Sequence, residues 1–175
     1  MLKQWQKYLT TDCKVIRIDD DCIYPIYRNA SSGLFAKSDS LIINHEIKGC
    51  ESIKVFIQEP LQRFTSGLNQ YCMFNSLDVD DTWKRVDRGE IIDRHFVPQW
   101  SWLCHLYIFY KGNVTLEPMA NVSRYLPEYA HRTKYEQKQI PVINELVEID
   151  LKLMEYIGQQ APLGVLIKEC RDVLS

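Results

Sequence analysis

The chain has 175 residues and a mass of 20.6 kDa, which is enough for one domain with a substantial core and short for two. Its composition, with 46% hydrophobic, 11% aromatic and 25% charged residues, is typical of a soluble globular protein. The net charge of -2 and the pI near 6.1 argue against the strongly basic surface of a nucleic-acid-binding protein, so we expect no nucleic-acid partner.

The first part of the chain is predicted to alternate short strands with short helices. The acidic turn Asp19-Asp20-Asp21 is followed by no EF-hand spacing, so we interpret it as solvated rather than metal-binding. Pro60 suits the first position of a helix, because its missing N–H costs nothing there. The predicted elements are a leading helix over 1–9, strands over 14–18 and 22–27, a helix starting at Ser32 or Gly33, strands over 41–44 and 52–57, and a helix from Pro60.

The second part follows the same pattern. Residues 103–110 form the most strand-like segment of the chain. Further elements are predicted as a charged helix within 76–90, a strand over 114–116, a short helix over 120–126, an amphipathic helix over 142–156 and a last helix over 162–174. Strands that alternate with helices predict one α/β domain over residues 1–175, with a mostly parallel central sheet flanked by helices.

The six cysteines indicate reduced thiols rather than a metal site or a disulfide framework. They form no C-x-x-C pair and lie at no metal spacing from histidine, so no metal is predicted. The N-terminal segment has no apolar signal region, and no stretch approaches transmembrane length. We therefore expect a cytoplasmic protein without membrane association.

A small, hydroxyl-rich segment follows the predicted strand over 22–27. There, the backbone N–H groups of a helix N-terminus would converge with the hydroxyls of Ser31 and Ser32 and the guanidinium of Arg28. Such an arrangement binds an anion. Two alternatives stay open: Arg28 as a surface charge, and the serines as a helix cap without a ligand. The Walker pattern is absent, which disfavours ATP hydrolysis.

Three stretches together resemble the sulfotransferase family, particularly its carbohydrate branch. Residues 27–34 (YRNASSGL) are similar to the motif for the 5′-phosphosulfate, and residues 58–66 (QEPLQRFTS) to the motif for the 3′-phosphate. Residues 95–99 (HFVPQ), followed by a strand and Glu117, are similar to a third signature. The resemblance implies a P-loop-NTPase-like three-layer fold and the donor 3′-phosphoadenosine 5′-phosphosulfate. The donor-binding residues that it implies are Arg28, Asn29, Ala30, Ser31, Ser32, Gly33, Arg63, Ser66 and Arg132.

One position departs from the family pattern. The first Arg of the 3′-phosphate motif is Gln58 here, which removes a cation expected to pair with that phosphate. Charged hydrogen bonds are about twice as strong as neutral ones. Either Arg63 or the basic segment over 131–134, which includes Arg132, compensates, or the donor binds weakly.

The resemblance also implies in-line sulfuryl transfer to a hydroxyl or amine, without a metal, from donor to a small-molecule or glycan acceptor. Arg28 would stabilise the leaving phosphate and His95 would take the acceptor proton, since imidazole titrates near neutral pH. His45 and Glu90 are the reserve bases, and Trp100 and Trp102 are either core residues or a platform for a sugar. The alternative function is a non-catalytic nucleotide-binding or interaction protein that retains the sulfotransferase fold.

Overall fold

A computed structural model describes residues 12–91, 93–131 and 145–171. The leading helix predicted over 1–9 and the predicted donor contact Arg132 lie outside these residues. Within them the chain forms one six-stranded sheet in the order β3-β1-β2-β4-β5-β6. The strands are β1 (Lys14–Ile18), β2 (Asp21–Ile23), β3 (Ser40–Ile43), β4 (Ser52–Ile57), β5 (Asn113–Pro118) and β6 (Gln160–Pro162).

The α/β class is confirmed, but the sheet is mixed rather than mostly parallel. Among the described strands, the two parallel pairings are those of β4 with β2 and with β5. The other three pairings, β1 with β2, β1 with β3 and β5 with β6, are antiparallel. The cause at β1 is local: only Asp19 and Asp20 separate β1 from β2, and a connection that short joins antiparallel strands. The acidic turn is thus the turn of a hairpin.

Helices cover both faces of the sheet. They are α1 (Ser31–Lys37), α2 (Pro60–Asn75), α3 (Val79–Asp87), α4 (Gln99–Phe109), α5 (Glu145–Met154) and α6 (Leu163–Arg171), with 3-10 helices at Asn44–Gly49, Met119–Arg124 and Pro127–His131. Alternate strand residues separate two apolar clusters. Val55 and Leu116 belong to the larger cluster, with α2, α4, α5 and α6. Ile23 and Phe56 belong to the smaller one, with α1 and the Met119–Arg124 turn.

The strand predicted over 103–110 is wrong, because these residues lie in and directly after α4. A helix that is buried on most sides is apolar around its circumference, and its sequence then lacks the 3.6-residue period that distinguishes a helix from a strand. A contact distant in sequence also supports this helix. The carboxylate of Asp150 accepts hydrogen bonds from the backbone N–H groups of Gln99 (2.7 Å) and Trp100 (2.8 Å) at its first turn.

Other local predictions are confirmed. α2 begins at Pro60, and the side chain of Glu59 caps it by accepting hydrogen bonds from the N–H groups of Leu61 (3.1 Å) and Gln62 (2.6 Å). α1 begins at Ser31, one residue before the earlier of the two predicted starts. No helix within the described parts of the chain is long and apolar enough to cross a membrane.

Candidate functional site

The parallel pairing of β2 and β4 brings the first two predicted motifs to the same edge of the sheet. Both strands end at that edge, the loop after β2 carries Arg28, and β4 leads directly into α2. The carboxyl ends of parallel strands are where open α/β sheets bind ligands. We refer to residues 28–33, the segment that the sequence predicts to bind an anion, as the anion loop.

The guanidinium of Arg28 is fixed between the anion loop and α2. Its Nη2 donates a hydrogen bond to Oγ of Ser66 (2.6 Å), and its Nη1 donates to Oε1 of Gln70. Burial lowers the pKa of Arg28, although the charges of Tyr27 and Tyr129 oppose this shift. Nε of Arg28 is buried and has no hydrogen-bond partner. The alternative of an ordinary surface charge therefore does not describe this residue.

The anion loop has a strained backbone, which hydrogen bonds of the buried Asn29 side chain hold in place. Arg28 and Ala30 have positive φ angles of 75° and 57°, a conformation that costs a residue with a Cβ about 1 kcal/mol or more. The side chain of Asn29, which is 1% exposed, holds the loop through Nδ2, donating to the carbonyl of Phe56 (2.6 Å) and to Oε1 of Gln99 (2.7 Å). Oδ1 of Asn29 is buried without a partner. The loop is thus preorganised, with one acceptor atom unpaired.

The two serines and the glycine of the anion loop have different surroundings. Ser31 is buried and Ser32 exposed, and both lie inside α1 rather than at its cap position, which is Ala30. The alternative of a serine helix cap is therefore wrong. A Cβ on Gly33 would lie 2.8 Å from Cδ1 of Leu126, so Gly33 permits the close packing of α1 against that side chain.

Gln99 joins all three predicted motifs, which sequence reasoning missed. Its side chain is fully buried, and Oε1 accepts from the N–H of Gln58 (2.9 Å) as well as from Asn29. Its Nε2 donates to the carbonyl of Gln58 (2.9 Å). The available signal was its place at the end of the HFVPQ stretch, where a buried amide can pair with a strand end. Gln99 therefore sets the position of the anion loop relative to β4.

Arg63 is buried next to the residue that precedes the anion loop. It is 2% exposed, and its guanidinium donates to the carbonyls of Val97 (2.6 Å) and Tyr27 (2.9 Å). Burial lowers its pKa to about 10, and the nearby carboxylate of Asp150 partly opposes this shift. Arg63, which the resemblance predicts to contact the sulfuryl donor, thus bonds to the protein backbone through both terminal nitrogens. Through them it links the segment before Arg28 to the segment that contains His95.

His95 is oriented by Asp93, a second residue that sequence reasoning did not assign. Nδ1 of His95 contacts the Asp93 carboxylate, and the backbone N–H of His95 donates to the same oxygen (2.9 Å). Because a carboxylate only accepts, Nδ1 donates to it, and in a neutral ring this tautomer leaves the lone pair on Nε2. Nε2 is buried and has no partner. The backbone of this segment touches α2: a Cβ on Gly67 would lie 2.0 Å from the carbonyl oxygen of His95.

Arg28 and His95 therefore approach the same helix. Arg28 contacts Ser66 and Gln70 of α2, while the ring of His95 lies 6.2 Å from that of Tyr71 and 6.1 Å from that of Phe74. The remaining candidates lie apart from this helix face or are engaged elsewhere. His45 is exposed in the 3-10 helix after the edge strand β3, and Glu90 pairs with Arg85 and Arg88. Trp100 and Trp102 are 5% and 8% exposed, as core residues are.

Two open cavities lie away from this arrangement. One of about 360 Å³ is lined by Lys54, Phe56 and Glu117, on the α1 side of the sheet, and one of about 550 Å³ follows α3. Glu117, in the first of these cavities, accepts a hydrogen bond from Asn121 (2.6 Å). Among the described residues, no group of three or more His, Cys, Asp or Glu side chains is arranged to hold a metal ion.

Comparisons of the chain with protein-family models, with curated proteins and with solved structures found no match.

Proposed function

We propose that the protein is a sulfotransferase that uses 3′-phosphoadenosine 5′-phosphosulfate, with a P-loop-like three-layer fold and a cytoplasmic location. The observation that carries the proposal is the hydrogen bond between Arg28 and Ser66, at 2.6 Å. The two residues come from different predicted motifs, 38 positions apart. Their contact supports a single anion-binding site made from the loop after β2 and the first turns of α2.

In the proposed reaction the acceptor oxygen forms a bond to sulfur while the bond from sulfur to the bridging phosphate oxygen breaks. The bridging oxygen keeps the electron pair and leaves on 3′-phosphoadenosine 5′-phosphate. Arg28, the cation at the carboxyl ends of β2 and β4, stabilises this developing charge. The acceptor proton passes to Nε2 of His95, and the Asp93 carboxylate stabilises the imidazolium that forms.

The 3′-phosphate site has fewer cations than the family pattern. Gln58 replaces an arginine, and the guanidinium of Arg63 already bonds to two backbone carbonyls. This observation favours the second candidate function, a nucleotide-binding or interaction protein that keeps the fold without catalysis. The two functions differ in one measurable property, which is turnover of a bound donor.

Calorimetric titration of the full chain with 3′-phosphoadenosine 5′-phosphate tests donor binding. We expect saturable binding with a Kd below about 1 mM, and weaker binding of adenosine 5′-phosphate, which lacks the 3′-phosphate. Absence of binding at millimolar ligand would contradict both functions as nucleotide binders. The non-catalytic function would be favoured if the nucleotide binds but no labelled sulfuryl group is transferred from 3′-phosphoadenosine 5′-phosphosulfate to any acceptor in a panel of alcohols, amines and sugars.

Replacing His95 by alanine is expected to lower turnover by about a hundredfold or more, because no general base then takes the proton from the attacking hydroxyl. Donor affinity, measured by the same calorimetry, should change little. Asp93→Asn should cause a smaller loss, since it keeps the shape of the side chain but not the carboxylate that orients the ring. His45→Ala, an exposed histidine after β3, is the matched control and should retain full turnover. A full-rate His95→Ala enzyme would reassign the base.

A further inference from the structure

The sheet ends in two edge strands, and these differ in how well they are protected against pairing. β6 has three residues and ends at Pro162, which has no N–H to offer a further strand. β3 has four residues, SLII, and none of them is charged or a proline. Natural proteins usually place charges, prolines or bulges on an open edge, because its unpaired backbone groups bind other strands. β3 is therefore the edge at which a further strand can add.

The pairing with β1 determines which backbone groups of β3 point to the open edge. β3 is antiparallel to β1, and the N–H of Asn44, directly after β3, donates to the carbonyl of Cys13 (3.0 Å). Bonded and non-bonded residue pairs alternate along an antiparallel ladder, so Ile42 is bonded to β1, whereas Leu41 and Ile43 are not. The N–H and C=O groups of Leu41 and Ile43 therefore point away from β1, where no other strand of the described chain lies.

The side chains at this edge are apolar and accessible. Leu41 is 45% exposed, although its partner on β1, Ile16, is fully buried in the smaller apolar cluster. Phe35 of α1, the helix on this side of the sheet, is 39% exposed. Ile42, on the opposite face, is half-buried against the larger cluster. The apolar surface thus continues on both faces out to the edge, and a strand added there covers it.

We propose that a second copy of the chain occupies this edge, with its β3 antiparallel to the first about a two-fold axis at Ile42. Leu41 of each copy then lies opposite Ile43 of the other, and each of these pairs exchanges two hydrogen bonds through the groups that point outward. Opposite residues share a face, so Leu41 meets Ile43 on the α1 side and the two Ile42 side chains meet on the other. The two sheets become one, and β6 protects both of its ends, which closes the assembly at a dimer.

The charges that flank β3 favour the antiparallel arrangement. Lys37 lies shortly before the strand and Glu46 shortly after it, and both are exposed. Antiparallel pairing brings the ammonium group of Lys37 in one copy towards the carboxylate of Glu46 in the other, once at each end of the strand pair. Asp39 is engaged within its own chain, where its carboxylate accepts a hydrogen bond from the N–H of Asp19 (2.7 Å). The pairing therefore adds electrostatic attraction at both ends.

Sedimentation equilibrium of the full chain tests this pairing, which does not depend on the proposed sulfuryl transfer. We expect the mass to rise with concentration from 20.6 kDa towards twice that value. The Kd should lie between about 1 and 100 µM, since a short strand pair buries a small interface. Leu41→Lys places a charge on the edge and should weaken dimerisation by about tenfold or more. Leu151→Lys is the matched control, because Leu151 is 40% exposed on α5, and it should dimerise as the wild type does.

Amide hydrogen exchange gives a second measurement that needs no variant. The amides of Leu41 and Ile43 should exchange more slowly in concentrated than in dilute solution, whereas that of Ile42, bonded to β1, should be protected in both. Three results would overturn the inference. The mass could stay at 20.6 kDa up to a concentration of about 1 mM, Leu41→Lys could dimerise as strongly as Leu151→Lys, or exchange at Leu41 and Ile43 could be independent of concentration.

Discussion

Arg28→Ala is expected to lower the rate of the proposed sulfuryl transfer by about a hundred- to a thousandfold, the usual effect of removing a charge-stabilising donor from an active site. Arg28 is the cation of the anion loop, and Ser66 and Gln70 hold it in position. The free energy of unfolding should change by no more than about 1 kcal/mol, because the residue is only half-buried and the backbone retains its conformation. Transfer from sulfur-35-labelled donor and urea denaturation provide the two measurements.

Two further variants determine the reason for that loss. Arg28→Lys keeps the charge but replaces a planar fork by a single ammonium group, so it should recover only part of the activity. Arg85→Ala removes an exposed cation of α3 and should leave turnover at the wild-type rate. Unchanged turnover in Arg28→Ala would remove this residue from the mechanism.

Arg63→Ala is expected to lower the free energy of unfolding by about 3 to 5 kcal/mol, because it removes one member of a buried polar network. The carbonyls of Val97 and Tyr27 lose their donors, and a cavity opens under the anion loop. Asp150 also loses a neighbouring positive charge. Burial raises the pKa of Asp150 to about 6 even with Arg63 present. Urea denaturation followed by tryptophan fluorescence measures the change.

The control for this prediction is again Arg85→Ala, whose effect on stability should stay within about 0.5 kcal/mol because the side chain is exposed. Arg63→Lys distinguishes an internal link from a donor contact. If Arg63 only links the two segments, the folded Lys variant loses stability but binds 3′-phosphoadenosine 5′-phosphate as the wild type does. A loss of stability below about 1 kcal/mol in Arg63→Ala would contradict the internal role.

Much of the local structure could be predicted because its causes act over a few residues. The alternation over Lys14–Ile18, the proline at the start of α2 and the small residues at the start of α1 each restrict the backbone locally. β2 is shorter than predicted, and Pro25, which has no N–H to give to a ladder, follows it closely. Buried α4 was predicted as a strand because its apolar pattern has no period.

The candidate site shows the same division. The sequence by itself determined which residue types follow β2 and β4, whereas the parallel pairing of these strands, which brings Arg28 and the start of α2 to one edge of the sheet, belongs to the tertiary structure. Only the tertiary structure decided which of them bond to each other. Gln99 meets Asn29 across 70 positions, and Asp150 meets the N–H of Gln99 across 51. Contacts this distant depend on how the helices pack on the sheet, and no local pattern in the sequence predicts that packing.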